Sequence, residues 1–357
     1  MKKEIVFILG SLDKGGVERV ITTLANYFVS NYKVTIITLL SDKQLYKIND
    51  SITVIHLFKK DEKRLFKLPI WLYKLNKIFK TIDNNNSIII SFVARINIVV
   101  LLANIFSKIP IIVSERNDPK NDGRTITINI FTHLLYRLAN KIVFQTNYAK
   151  LLFSKAIQDK GVIIYNPITI NVFKEPLKEQ KTIVNVGRLV TQKNQQLLIR
   201  AFKQINLQYP EYVLHIYGDG PLKDKLKQLI SKLELENKVI LKGNVDDIHN
   251  AYKNATMFVL SSNFEGQSNS LLESMAMGIP CISTNIPGIN EIVNSTNCKL
   301  VEKENKTQLI KAMIKLIDNK SIRDTLRENG KKIIKNHDAK TILLIWEHLI
   351  ETTIIKK

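Results

Sequence analysis

Residues 261–284 read SSNFEGQSNSLLESMAMGIPCIST, and the way this stretch alternates decides the fold. An apolar run at 257–260 precedes it and reads as a strand. A polar loop follows, then a helical segment over about 268–277, then a second short apolar run at 281–284. Strand, crossover helix and strand make a βαβ unit, which belongs to a parallel sheet covered by helices.

The same alternation extends in both directions. Runs 5–9 and 33–39 read as strands, and Val17, Val20, Ile21, Leu24, Ala25 and Phe28 form one helical face between them. Runs 87–92, 110–114 and 141–145 continue that series. It then restarts at 182–186, 212–217 and 239–242 and runs into the stretch quoted above. The spacing therefore predicts an α/β chain with two Rossmann-like domains, which 357 residues accommodate at roughly 100 to 200 residues each. Between the series lies IIYNPITINVFKEP (163–176), where Pro167 removes a ladder donor and biases Asn166 to an extended conformation. The expected division is 1–166, 167–336 and a last helix in 337–357. In that helix Ile342, Trp346, Leu349 and Ile350 recur on one face, which is expected to pack back toward the first domain. No further strong strand is expected after 284.

Lys and Arg total 53 against 32 Asp and Glu, a net +21 that favours polyanionic partners. Nucleic acid is not the reading this supports, because no helix-turn-helix, zinc or RNA-recognition pattern accompanies the charge. Cys281 and Cys298 are too few for a metal pattern and fit a reducing compartment. The opening MKKEIVFILGSL is too short in its apolar part for a signal peptide, and 96–106 is interrupted by Asn97 and Asn104. Neither reaches the roughly 18 apolar residues that span a bilayer.

Three stretches carry chemistry. In ILGSLDKGGVERV, Gly15 and Gly16 follow a strand and open a helix, where close backbone approach and exposed amides suit an anion. The pattern is not G-x-G-x-x-G, so a dinucleotide site and a nicotinamide-dependent dehydrogenase are not indicated. In VNVGRLVTQKN, Arg188 and Lys193 follow the first strand of the second series. Ligands bind beyond the carboxyl ends of such strands, so two cations there can neutralise a diphosphate leaving group. In the stretch that opened this section, Gly266, Gln267, Ser268 and Asn269 offer amides at a helix start, and Glu265 can accept hydrogen bonds from sugar hydroxyls. Glu273, further into that helix, can take the hydroxyls of a ribose.

GGVER, VGRLVTQKN, IYGDGPL and the Glu265–Glu273 spacing, in this order and with the Asn166–Pro167 linker, resemble the family-4 retaining glycosyltransferases over nearly the full length, in particular the bacterial enzymes of polysaccharide and lipid-linked oligosaccharide assembly. The resemblance implies a GT-B fold, in which two Rossmann-like domains face each other across a cleft. The donor, a nucleotide-diphosphate sugar such as a UDP-sugar, is then held by the C-terminal domain and the acceptor by the first. In that family Arg188 and Lys193 would hold the diphosphate, Glu265 the donor sugar, Glu273 the ribose, Gly218 the donor pocket, and Gly15 and Gly16 the cleft floor. Where the family commonly has a histidine this chain has Glu115 and Arg116, which are assigned to the acceptor side. The expected reaction moves a hexose or N-acetylhexosamine to a polyprenyl-diphosphate-linked saccharide, as in O-antigen or capsule assembly. No D-x-D triplet occurs, so no divalent cation or other cofactor is expected. A sugar-nucleotide epimerase on the same scaffold is the nearest enzymatic alternative.

FKKDEKRLFKLPIWLYKLNKIFK (58–80) carries eight Lys or Arg against Asp61 and Glu62. After Pro69, Trp71, Leu72, Leu75, Ile78, Phe79 and Ile82 share a helical face, with Lys67, Lys74, Lys77 and Lys80 among the basic residues around it. This reads as an interfacial helix on an anionic membrane surface, and places the chain in the cytoplasm, peripheral on the inner face of the plasma membrane.

Overall fold

The structure, a computed structural model, describes residues 2–13, 15–58, 67–169, 179–245 and 247–355, with Lys67 and Ala251 described by backbone alone. Two compact units result, Met1–Pro167 with Ala339–Lys357, and Ile168–Asp338. The first contains β1 (Glu4–Leu9), α1 (Gly16–Phe28), β2 (Lys33–Thr38), β3 (Thr53–His56), α2 (Lys67–Phe79), β4 (Ser87–Phe92), α3 (Ala94–Asn104), β5 (Ile111–Glu115), α4 (Ile126–Leu135), β6 (Lys141–Phe144), α5 (Asn147–Leu151), α6 (Lys155–Gln158) and β7 (Gly161–Ile163). The second contains β8 (Gln180–Val186), α7 (Gln195–Gln208), β9 (Val213–Tyr217), α8 (Lys223–Lys232), β10 (Val239–Gly243), α9 (Ile248–Tyr252), β11 (Ala255–Leu260), α10 (Asn269–Ala276), β12 (Cys281–Asn285), α11 (Pro287–Asn290), β13 (Lys299–Glu302), α12 (Lys306–Asp318), α13 (Lys320–Lys331) and α14 (Ile334–His337). The last helix, α15 (Ala339–Ile355), returns to the first unit.

Every strand pair is parallel, in the orders β3-β2-β1-β4-β5-β6-β7 and β10-β9-β8-β11-β12-β13. Central strands such as SIIISF of β4 and ATMFVL of β11 are buried along their whole length, as a sheet covered on both faces requires. The α/β class with two parallel sheets read from the sequence is the fold observed. Three short strands escaped that reading: β3, β7 and β13 each pair at one end of a sheet. The last corrects the expectation of no strand after 284. It forms because KLVE completes the register beside β12, not because of its own pattern.

In the first unit one core layer joins α1 to α15, where Ile342, Trp346 and Ile350 are at most 1% exposed. Tyr27 of α1 donates to Glu347 Oε2 of α15 at 3.3 Å, tying the same two helices, and Tyr32, just after α1, donates to Glu351 Oε1 at 2.9 Å. The opposite layer receives α2, α3 and the residues after α4. Among the described residues no helix is long and apolar enough to cross a membrane.

Both cysteines are buried, and burial pushes the Cys281 thiol up to about 12 and Cys298 well above its ordinary value. Thiolate is the reactive form. An aromatic disulfide reagent at pH 8 is therefore expected to leave both thiols of the folded chain unmodified and to titrate both after denaturation. Rapid labelling of either in the native protein would contradict their placement.

Candidate functional site

Sheet order places the site of the second unit. From β8 the chain moves outward to β9 and β10, and from β11 it moves the other way to β12 and β13, so the neighbours β8 and β11 flank the point where strand order reverses. Open parallel sheets bind ligands in the crevice beyond the carboxyl ends of the strands at such a reversal. Arg188 and Lys193 lie on the first loop and Glu265 on the second.

Side chains absent from the sequence reading bolt these loops together. Ser261 Oγ donates to the carbonyls of Lys193 and Asn194 at 3.0 and 3.1 Å. Asn263 receives a hydrogen bond from Asn194 Nδ2 at 3.0 Å and donates to the Thr191 carbonyl at 3.2 Å. Asn194, left-handed at φ 46°, caps α7 by accepting from the Leu197 amide at 3.3 Å. That cap turns the chain so that Lys193 points to the second loop. Its Nζ meets Glu265 Oε1 at 2.5 Å. Ser262 donates to the same oxygen at 2.6 Å, and Gln192 donates to Oε2 at 3.3 Å.

Glu265 is only 6% exposed, and three donors fix its carboxylate in place. Arg188 is exposed and makes no ion pair among the described residues, so its cation is free to meet a ligand. Ser268 is the N-cap of α10, which puts Gly266 and Gln267 in the loop just ahead of the helix and Asn269 on its first turn. Glu273 sits a turn further in and is buried.

Two glycines shape this crevice. Gly218 has φ +125°, and a Cβ there would strike the Gly187 carbonyl, so the loop after β9 lies directly against the loop after β8. At Gly288, in α11, a Cβ would strike the carbonyls of Glu265 and Gly266. Gly218 was among the expected donor residues; Gly288 was not, although it stands in the NIPGINEIV tail of the same stretch.

The first unit reverses its strand order between β1 and β4. Gly15 is the N-cap of α1 and Gly16 its first residue, at the carboxyl end of β1. Tyr46 hydroxyl donates to the Gly15 carbonyl at 3.0 Å, which fixes this turn. The paired Glu115 and Arg116 do not act together, because consecutive residues of an extended chain face opposite sides of the sheet. Glu115 is enclosed on the α4 side by Arg124 and the Tyr136 hydroxyl, each at 3.0 Å. Burial raises its pKa and outweighs the lowering by Arg124. Glu115 is thus spoken for by its own unit, which corrects its expected place among acceptor-binding groups.

Arg116 lies on the other side, 8% exposed, over the rings of Phe92 and Trp346 at 5.1 and 5.9 Å. Its Nη1 donates to Asn166 Oδ1 at 2.9 Å, while Nε and Nη2 are buried without a hydrogen-bond partner among the described residues. Burial pulls this guanidinium down to about 9, which leaves it a cation at neutral pH. A buried cation with two unsatisfied N–H groups and no carboxylate is costly, and an anionic ligand would relieve it.

The apolar face read on α2 packs on the core of its own unit. Leu75 and Phe79 are at most 1% exposed, and Trp71, Leu72, Ile78 and Ile82 pack against the same core. Core packing and lipid contact impose the same helical period, and the core has taken this face. Lys74 is occupied as well, donating to the Leu57 carbonyl at 2.7 Å, while Lys77 and Lys80 are exposed. Lys59, Lys60, Asp61, Glu62, Lys63 and Arg64 lie outside the described residues, as does the Lys67 side chain.

Comparison with known proteins gives a consistent result. The family model described as glycosyl transferases group 1 matches residues 168–333. Over the chain as a whole, an uncharacterized glycosyltransferase of Methanocaldococcus jannaschii is 30% identical, covering 87% of this chain and 84% of its own length. The N-acetylgalactosamine-N,N'-diacetylbacillosaminyl-diphospho-undecaprenol 4-alpha-N-acetylgalactosaminyltransferase of Campylobacter jejuni is also 30% identical, over 95% and 96%. The crystal structure of Anabaena HepE with UDP and glucose superimposes with a TM-score of 0.82 at 18% identity, over 98% of this chain and 100% of that one.

Proposed function

Because the chain belongs to the group 1 glycosyl transferases, we propose that it moves a hexose or N-acetylhexosamine from a UDP-sugar to a saccharide carried on a polyprenyl diphosphate, with retention of configuration, on the inner face of the plasma membrane. The product serves cell-surface polysaccharide or glycan assembly. The observation that carries this reading is the Lys193–Glu265 pair at the strand-order reversal, beside the exposed Arg188. Bacterial relatives named for undecaprenol-linked acceptors support the acceptor class, and solved neighbours holding UDP support the donor.

In this reading Arg188 and Lys193 neutralise the donor diphosphate, Gly266, Gln267, Ser268 and Asn269 offer it backbone amides, and Gly218 lets the neighbouring loop approach. Glu265 orients the sugar hydroxyls, and Glu273 takes the ribose. The bond from the anomeric carbon to the diphosphate breaks, the acceptor oxygen bonds to that carbon, and its proton passes to the departing phosphate. Positioning and charge stabilisation then supply the rate. Arg116, with Gly15 and Gly16, serves the acceptor side by meeting a phosphate group. No divalent cation takes part, so chelation by EDTA leaves transfer unchanged.

The test is transfer of radiolabelled sugar from a panel of UDP-sugars to polyprenyl-diphosphate saccharides. Arg188→Ala is expected to lower turnover by about 10²-fold while changing donor affinity much less. Unchanged turnover would remove Arg188 from the mechanism. An epimerase would interconvert the donor without acceptor, and that result would overturn the assignment.

A further inference from the structure

Helix α4 has its apolar residues on the wrong side for a core. Of its ten residues, ITINIFTHLL, the one that is fully buried is Thr132. Ile126, Ile130, Phe131 and Leu134 are instead 81, 54, 45 and 56% exposed, and Leu138 continues the line at 53%. Positions 126, 130 and 134 follow each other at i+4, so they form one stripe along the helix, and Leu138 lies in the turn just beyond its end. An exposed apolar stripe of this size marks a contact surface.

Charge says what the surface meets. From 123 to 158 the sequence contains no Asp or Glu; Arg124 is buried against Asp122 and Glu115, and Lys155 pairs with Asp159, which leaves Arg137, Lys141 and Lys150 without a carboxylate partner among the described residues. The stretch 84–114, which includes α3, also lacks carboxylates and carries Arg95 and Lys108. A protein partner would be expected to meet mixed charges, whereas an apolar stripe on a stretch whose unpaired charges are basic matches an anionic lipid interface. Because the strands are parallel and each helix returns antiparallel to them, the start of α4 stands at the carboxyl edge of the first sheet. Exposed Leu68 and Ile70 open α2 at that edge too, and both helices cover the same face of the sheet.

We propose that α4 is the membrane-docking element of the first unit, with Ile126, Ile130, Phe131 and Leu134 entering the headgroup and acyl boundary of an anionic bilayer. This deepens the functional reading above, on which the placing of the acceptor depends, but its own test needs no activity.

The test uses the full chain and vesicles of phosphatidylcholine with or without phosphatidylglycerol. Wild-type protein is expected to float with the anionic vesicles, and the Ile126→Glu, Ile130→Glu double variant to bind roughly ten-fold more weakly or less. Its melting temperature should be unchanged, since the replaced side chains are exposed. An environment-sensitive fluorophore on Ile130→Cys should shift to the blue on addition of anionic vesicles, while the same probe on Leu207→Cys, exposed on α7 of the second unit, should not. Native-like vesicle binding by the double variant, no shift at 130, or a dimer in solution that the double variant dissolves would each overturn the proposal. Transfer to a detergent-solubilised acceptor is measured alongside. Transfer without α4-dependent binding sinks the docking proposal alone, and binding without transfer to any acceptor sinks the functional reading alone.

Discussion

Replacing Lys193 by alanine is expected to lower kcat by about 10²- to 10³-fold, the scale seen when a preorganised charge-stabilising group is removed. Two effects act together. In the proposed reaction the donor diphosphate loses a cation whose loop is already fixed through Ser261, Asn194 and Asn263, so no reorganisation at the moment of reaction can replace it. Glu265 meanwhile keeps its burial but loses its counter-charge and rests on Ser262 and Gln192 alone. Lys193→Arg should recover part of the loss in charge but not in geometry, because a guanidinium is a planar fork, not a point charge. Steady-state kinetics with saturating donor gives the comparison. A Lys193→Ala enzyme with wild-type kcat would show that the pair is structural.

Gly288→Ala is expected to be the most damaging single-methyl change in the second unit. The added carbon would fall on the carbonyls of Glu265 and Gly266, and backbone on both sides leaves no flexible side chain to yield. Either α11 or the Glu265 loop must move. Strain of this kind costs about 2–3 kcal/mol, which corresponds to a fall in Tm of roughly 4–12 °C for a unit of this size. Because the moving part carries Glu265, kcat/KM should drop more than ten-fold, about 1.4 kcal/mol or more of lost transition-state stabilisation. Gly123→Ala makes the control. Its φ of +76° costs about 1 kcal/mol for any side chain, but nothing lies within 4 Å of the new carbon and activity should be unaffected. Calorimetry and kinetics on the two variants separate local strain from damage to the crevice; equal activity loss in both would sink the argument.

The parts of the fold legible in the sequence were those with enough length to show a period. β1, β4 and β11 are apolar runs between turn residues, and α1 and α15 repeat their apolar positions over several turns. TVIH, GVI and KLVE carry no such signal, since three or four residues cannot distinguish an edge strand from a loop. The same limit explains α2. Periodicity gives the apolar face but not its partner, and a helix that packs on a core looks like one that lies on lipid. The stripe on α4 was hidden for the reverse reason: Thr125 and Thr132 anchor the helix, and no rule of pattern expects a threonine inside and isoleucines outside.

Within the site, residue types pointed to Arg188, Lys193 and Glu265, and strand order then brought the last two into contact across 72 positions of chain. The supporting Ser261, Ser262 and Asn263 stood in view in SSNFEG, but polar residues after a strand are ordinary loop composition until their partners are seen. Glu115 was the misleading case. Its neighbour Arg116 suggested a pair, while its true partners, Arg124 and Tyr136, lie 9 and 21 positions away.

The return of α15 to the first unit makes the second a guest inserted within its host. During synthesis residues 168–338 emerge complete while the host still lacks its final layer, so the guest can fold first. Trp346, which lies over Arg116 and Phe92, is made only after the whole guest. Until Trp346 packs there, the Arg116 pocket lacks one of its two aromatic walls, so the host's buried charge is enclosed only after the guest has been made.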